Sequence, residues 1–241
     1  MTKQEIQFVR SLADKRNRDQ ERLFIAEGDK LISEIAVSGL KVRNIYALEG
    51  HLSGKAEVVS AKEMERISQL KTAASSLAIV EQPRHKTPST APADKLSIAL
   101  DGVQNPGNLG TIIRLADWFG VEDIFCSMDT ADCFNPKVVQ ATMGAILRVR
   151  VHYTDLAAWL SKQGNSKIYG TFLEGENIYS AQLDKAGVIV MGNEGQGISA
   201  EVSATVSHKL LIPPYPTDRC GSESLNVAVA TAVICSEFRR R

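Results

Sequence analysis

Five short apolar runs, LSIAL (96–100), EDIFCS (122–127), KIYGTFL (167–173), GVIVMG (187–192) and HKLLIP (208–213), recur with helical stretches between them. Runs of this kind are strands buried on both faces. Separated by helices, they predict an α/β domain built on a parallel sheet with helices on both sides. Ligands of such sheets collect at the loops leaving the carboxyl ends of the strands, so those loops are read first for chemistry.

The front of the chain alternates on a smaller scale. A helix near 4–15, a strand at RLFIAE, a helix at 28–38, a strand at VRNIYAL, a helix near 61–70 and a strand at SLAIVEQ predict a small α/β domain over 1–81. QPRHKTPSTAPA, 82–93, has three prolines and no apolar residue larger than alanine, which reads as an extended linker to a second domain at 94–241. Lys and Arg against Asp and Glu number 15 to 12 in 1–93 and 13 to 16 in 94–241, so a mildly basic front precedes a mildly acidic back.

No stretch approaches the roughly 20 consecutive apolar residues of a membrane span. The charged, amphipathic opening MTKQEIQFVRSLADKRNRDQ lacks the apolar core of a secretory signal, and a cytoplasmic protein is expected. Cys126, Cys133, Cys220 and Cys235 form no C-x-x-C pair and have no histidine at ligand spacing, so free thiols and no bound metal are expected.

Three loops stand out. After 96–100, Pro106, Gly107, Asn108 and Gly110 build a turn before an amphipathic helix, and Arg114 lies one helical turn beyond Gly110. Arg114 is either within reach of that loop or a solvated helix charge. After 187–192, GNEGQGIS spaces its glycines as G-x-x-G-x-G, which is neither the dinucleotide fingerprint nor a Walker A loop. The loop implies that a backbone approaches something closely, and Glu194 within it reads equally as a turn residue. After 208–213, IPPYPTDRCGSE leads into SLNVAVATAVIC, where Ser222 or Ser224 is the expected helix cap, Glu223 adds favourable charge and the helix is apolar on nearly every face. A cap accounts for Ser224; Asn226, in the first turn of a helix expected to be buried, needs a partner.

Together the stretches NPGNLGTIIRLADWFG, VIVMGNEGQGIS and IPPYPTDRCGSESLNVAVATAV resemble the three motifs of the SPOUT superfamily, in its TrmH-like (SpoU) branch of RNA ribose 2′-O-methyltransferases. FNPKVVQATMGAILRVRV resembles the segment between the first two motifs, and FVRSLADKRNRDQERLFIAEGDKLISEIAVSG resembles the substrate-binding domain often fused ahead of them. The third motif departs from the family in a longer link between its Ile-Pro and its Ser-Leu-Asn. The resemblance implies a C-terminal trefoil knot, S-adenosylmethionine as cofactor, RNA as substrate (ribosomal RNA before transfer RNA) and a homodimer whose reactive cluster draws on both subunits. It implies Asn108, Arg114, Glu194, Ser224 and Asn226 as the reactive cluster, with Glu194 orienting Arg114. It places Thr171, Leu173, Gly192, Gly195, Ile212, Leu225 and Asn226 at the cofactor. Lys15, Arg16, Arg18 and Arg22 are candidate RNA phosphate contacts, or a solvated helix end. A noncatalytic RNA-binding or ribosome-assembly factor with the same fold is the main alternative, and a nicotinamide oxidoreductase is disfavoured by the glycine spacing.

Overall fold

The computed structural model describes residues 1–52, 54, 56–216 and 224–240. The chain forms two compact units, Met1–Arg84 with Asp132–Leu147, and His85–Ala131 with Arg148–Arg241.

The first unit opens with two helices where the sequence predicts one. Helix α1 (Lys3–Ser11) starts in a reciprocal cap between Thr2 and Glu5, and α2 (Lys15–Glu21) starts at Asp14, whose carboxylate accepts from the Arg16 amide at 2.8 Å. Asp14 serves better as a cap than inside a helix, so the chain breaks there. Strand β1 (Leu23–Glu27), α3 (Asp29–Val37), β2 (Val42–Ala47), β3 (Glu57–Val58), α4 (Ala61–Ile67) and β4 (Ser76–Glu81) follow, with β4 antiparallel to both β1 and β2 and β3 parallel to β2.

Both faces of this sheet are buried, and alternation along the strands sorts their residues. Leu23, Ile25, Leu77 and Ile79 pack with Ile6 and Val9 of α1 and Met64 and Ile67 of α4. Phe24, Ala26, Ala78 and Val80 pack with Ile32 and Ile35 of α3 and with Phe134 and Val139. The last two come from the segment Asp132–Leu147, so a stretch far along the chain completes the second face of an N-terminal sheet.

The same segment corrects one expectation. Arg18 is not at the surface for a phosphate: it is 1% exposed. Its Nη2 meets Asp132 Oδ2 at 2.6 Å, and its Nη1 donates to the carbonyls of Leu12 at 2.9 Å and Ala13 at 2.6 Å. The side chain is a buried brace between the α1–α2 turn and residue 132. Lys15 is exposed and paired with Asp19 at 2.7 Å, while Arg16 and Arg22 are exposed.

The second unit carries β5 (Leu96–Leu100), α5 (Pro106–Trp118) and β6 (Asp123–Cys126). Helix α6 (Pro136–Ala141) follows in the chain but belongs to the first unit. Then come β7 (Arg150–Tyr153), α7 (Leu156–Leu160), β8 (Ile168–Asn177), β9 (Gly187–Met191), α8 (Ala200–Ser203), β10 (His208–Leu211) and α9 (Val227–Arg240). The six strands form one wholly parallel sheet in the order β10-β8-β9-β5-β6-β7. All five predicted strands are present. The sixth, β7, escapes notice in the sequence because RVHY has no apolar run; it is an edge strand whose Arg150 grips Asp123 of β6 through two bonds of 2.7 Å.

Ala99, Phe125, Val188 and Val190 cluster with Leu156 and Trp159 of α7 and Val202 of α8. On the other face α5 packs on α9, and Tyr169 of β8 meets Phe238 of α9 edge to face at 4.9 Å. The proline-rich stretch is tied to this unit: Trp159 Nε1 donates to Pro88 O at 2.9 Å and Ala91 N to Gln163 Oε1 at 2.7 Å. Among the described residues no helix is long and apolar enough to cross a membrane. Cys126, Cys133 and Cys235 are buried outside any disulfide, and burial pushes the Cys235 thiol up to about 12; Cys220 lies outside the described residues.

Removing the Arg18 partner should be costly. We expect Asp132→Ala, which strands a buried guanidinium, to lower unfolding stability by about 3 kcal/mol or more in denaturant titration, and Arg18→Met/Asp132→Leu to recover much of it. Equal stability of wild type and Asp132→Ala would show that water reaches the pair.

Candidate active site

Strands β10, β8, β9 and β5 are neighbours, so the loops leaving β5, β9 and β10 emerge along one edge of the sheet. The loops leaving β5 and β9 are each locked by short polar side chains. Asn105 caps α5 by accepting from the amides of Gly107 at 2.8 Å and Asn108 at 3.1 Å, with Pro106 in the first helical position, where no donor is needed. Asn193 and Gly197 exchange backbone bonds of 2.9 and 3.0 Å, closing the second loop into a tight knuckle.

A Cβ on Gly192 would lie 2.3 Å from the carbonyl carbon of Gly197. The close approach that its sequence implies is therefore made by the loop to itself. A Cβ on Gly195, by contrast, would meet nothing nearer than Asn193 Oδ1 at 3.7 Å.

The first two loops are laced together. Asn193 Nδ2 donates to Gly102 O at 2.7 Å while its Oδ1 accepts from the amides of Gly195 at 2.9 Å and Gln196 at 3.1 Å. Asp101 Oδ2 accepts from the Ser199 amide at 2.7 Å. Neither Asn193 nor Asp101 is identifiable as a site residue from spacing; the available signal was an Asx residue beside a glycine at each strand exit.

Three expected cluster residues meet. Asn226 Nδ2 donates to Asn108 Oδ1 at 3.1 Å, and Asn108 Nδ2 donates to Glu194 Oε1 at 2.8 Å. This Asn226–Asn108–Glu194 chain joins one residue from each loop region. Asn226 Oδ1 also accepts from the amides of Ala228 at 3.0 Å and Val229 at 3.3 Å, which makes it the cap of α9. The helix thus begins later than the sequence suggests, with Asn226 in the role expected of Ser224 or Ser222. Ser224 is exposed ahead of it, and Ser222 and Glu223 lie outside the described residues. Nor is α9 buried on nearly every face: Val229 is 51% exposed.

Arg114 stands apart. It is exposed, without an ion pair or hydrogen bond among the described residues, and Glu194 is engaged by Asn108 in place of the arginine expected there. Arg114 lies six positions after Asn108 on α5, about 9 Å along the axis and about a third of a turn around it.

Of the expected cofactor residues, Thr171 is half-buried and donates to Val190 O at 3.3 Å, and Ile212 is half-buried after β10. Leu173 within β8 and Leu225 ahead of α9 are 71% and 51% exposed, apolar surface left bare. The strand-end loops of this parallel α/β unit thus meet in amides and one carboxylate, at the edge where such sheets bind ligands.

The chain belongs to the SpoU rRNA methylase family, whose model matches residues 95–236; a second model, the MRM3-like substrate binding domain, matches residues 3–85. It is 29% identical over 98% of its length, and 96% of the relative's, to the 23S rRNA (guanosine(2553)-2′-O)-methyltransferase RlmP of Bacillus subtilis. A solved structure from Porphyromonas gingivalis, assigned to the TrmH family of RNA methyltransferases, superposes with a TM-score of 0.89 at 37% identity, covering 100% of this chain and 98% of that one. The AdoMet-bound rRNA methyltransferase of Sinorhizobium meliloti superposes with a TM-score of 0.86 at 28% identity, covering 100% and 95%.

Asn226 has two separable jobs, and two variants divide them. Asn226→Ala should lose the cap, at about 1 kcal/mol by thermal unfolding, together with turnover. Asn226→Asp keeps the cap acceptor but cannot donate to Asn108, so it should hold stability and still lose turnover; full activity of the aspartate variant would remove the amide chain from the mechanism.

Proposed function

We propose that this protein is an S-adenosylmethionine-dependent RNA ribose 2′-O-methyltransferase acting on ribosomal RNA in the cytoplasm, with the first unit binding RNA and the second carrying the reaction. The Asn226–Asn108–Glu194 chain carries the reading, because it joins the three motif-bearing loops through the residues the family resemblance selects. The RlmP and Sinorhizobium relatives support the substrate and the cofactor.

The residues present fit S-adenosylmethionine. Bare Leu173 and Leu225 offer apolar walls, and Gly195 is exposed, a Cβ there meeting only Asn193 Oδ1 at 3.7 Å, so a ligand can approach the backbone, whose carbonyls suit the donors of an uncharged adenine edge. Thr171, Leu173, Gly192, Gly195, Ile212, Leu225 and Asn226 would hold it. Bound there, the cofactor supplies an electrophilic methyl group on a sulfonium.

Aligning a ribose hydroxyl with that methyl is the larger part of the task. Asn108, fixed at one end by Asn226 and at the other by Glu194, positions the acceptor side of the site. Arg114 is not the base, since a guanidinium stays protonated in proteins. Its role is to hold the phosphate beside the target ribose and stabilise the developing alkoxide, the proton leaving by phosphate or water.

We read the active form as a homodimer. Trp118 on α5 is 83% exposed and Val229 on α9 is 51% exposed, apolar surface on two helices that pack together, and Arg114 has no ion pair or hydrogen bond among the described residues. A second copy would cover the first and bring Arg114 to the other subunit's amide chain. The trefoil knot belongs to the same reading, supported by α9 returning from the edge strand β10 to lie on α5.

Arg114→Ala should abolish 2′-O-methylation of ribosomal RNA, read by nucleoside mass spectrometry, while S-adenosylhomocysteine affinity by calorimetry stays near wild type. Mixing Arg114→Ala with Asn226→Asp should restore activity through heterodimers in which one site is intact. Unchanged turnover in Arg114→Ala would discard the assignment, and no rescue on mixing would discard the shared site.

A further inference from the structure

The Arg22 end of the first unit holds a feature unrelated to the amide chain. Glu21, Arg22, Leu23, Arg43, Glu81, Gln82 and Arg84 line an open pocket of about 400 Å³, where β1 and β2 begin and β4 ends. Its base is fixed: Gln82 N donates to Arg22 O at 2.8 Å, and Gln82 Nε2 donates to the carbonyls of Leu23 at 3.2 Å and Arg18 at 3.3 Å.

The arginines are poorly spent. Arg22 and Arg84 are exposed and their guanidinium groups have no partner among the described residues. Arg43 lies over the Phe8 ring at 5.2 Å and reaches Glu21 only at 3.9 Å, while Glu81 is drawn to Lys41, also at 3.9 Å. Planar guanidinium forks suit phosphate oxygens and the faces and edges of nucleobases. Two carboxylates on the rim make the pocket a poor sink for a bare anion, but they are acceptors for base N–H groups. A ligand carrying one negative charge and a donor-bearing heterocycle matches both sets, and that is a nucleotide within an RNA strand.

We propose that this pocket receives an unpaired nucleotide of the RNA substrate, its phosphodiester on Arg22 and Arg84 and its base between Arg43 and the rim carboxylates. RNA contact by the first unit then runs across the Arg22–Arg84 end of the sheet, and the buried Arg18 acts only as a brace behind it. The inference rests on the reading that the first unit binds RNA.

The test uses the full chain with S-adenosylhomocysteine and a fluorescein-labelled single-stranded RNA of mixed sequence, with anisotropy followed against salt. Arg22→Gln/Arg84→Gln should weaken RNA binding at least several-fold at low salt and flatten the log–log salt slope by about 0.7 for each lost phosphate contact, with S-adenosylhomocysteine affinity unchanged. Inorganic phosphate should compete no better than chloride at equal ionic strength. Wild-type slope and affinity in the double variant would overturn this site alone. Specific competition by phosphate would make it an anion site and overturn the nucleotide assignment. Absence of RNA binding by the wild type would overturn both this inference and the RNA-binding reading of the first unit.

Discussion

Parallel pairing is the constraint from which the site follows. A strand cannot turn directly into a parallel neighbour, so every connection in the second unit must cross back over the sheet, and every strand delivers its exit loop to the same edge. With β10, β8, β9 and β5 adjacent, loops that lie about a hundred residues apart in sequence emerge side by side. Burial of both faces holds that register, since slipping a strand by one residue would turn Val188 and Val190 away from the α7 cluster.

Convergence alone leaves loops mobile, and here short amides fasten them. Asn105 caps α5, Asn193 closes its own knuckle while holding Gly102, and Asn226 caps α9 while reaching Asn108. Each amide offers a donor and an acceptor at once, so one residue can satisfy a helix end and still extend a bond to the next loop. A carboxylate or an ammonium could do only half of this. Glu194 ends the chain as its only charged member.

Much of this was legible in the residues, and the failures share a cause. The five apolar strands and the glycine loops are visible because periodicity and turn chemistry are local properties, whereas Asn108, Glu194 and Asn226 are singled out by the family resemblance of the three motifs. Arg18 was misread because a guanidinium beside Lys15 and Arg16 looks solvated, and nothing in the near sequence announces Asp132, over a hundred residues away. The Asp132–Leu147 segment, similar in sequence to part of the catalytic family's pattern, folds with the N-terminal sheet for the same reason: its partners Phe24 and Val80 are distant in sequence. Strand β7 was hidden because an edge strand needs no apolar run when Asp123 and Arg150 can pair across it. The cap of α9 was misplaced because serine and asparagine are near equals as caps, and the choice is made by Asn108, a residue on another loop.

That last case bears on how such a site is assembled. Asn226 and Glu194 are exposed and Asn108 is half-buried, so the bonds between them compete with water and each contributes little to stability. Their geometry is held instead by the helix starts from which they project: Asn108 sits in the first turn of α5 and Asn226 immediately ahead of α9, and the two helices pack together over the sheet. The chain is therefore ordered by burial elsewhere, by Leu109 and Ile112 on one helix and Val227 and Thr231 on the other, and remains open on its outer side. An open, weakly held polar chain gains strength once water is excluded, because the same bonds then act in a medium of lower dielectric. Under the proposed dimeric reading the amide chain would become rigid once cofactor, RNA and a second subunit cover it, which would tie chemistry to complete assembly.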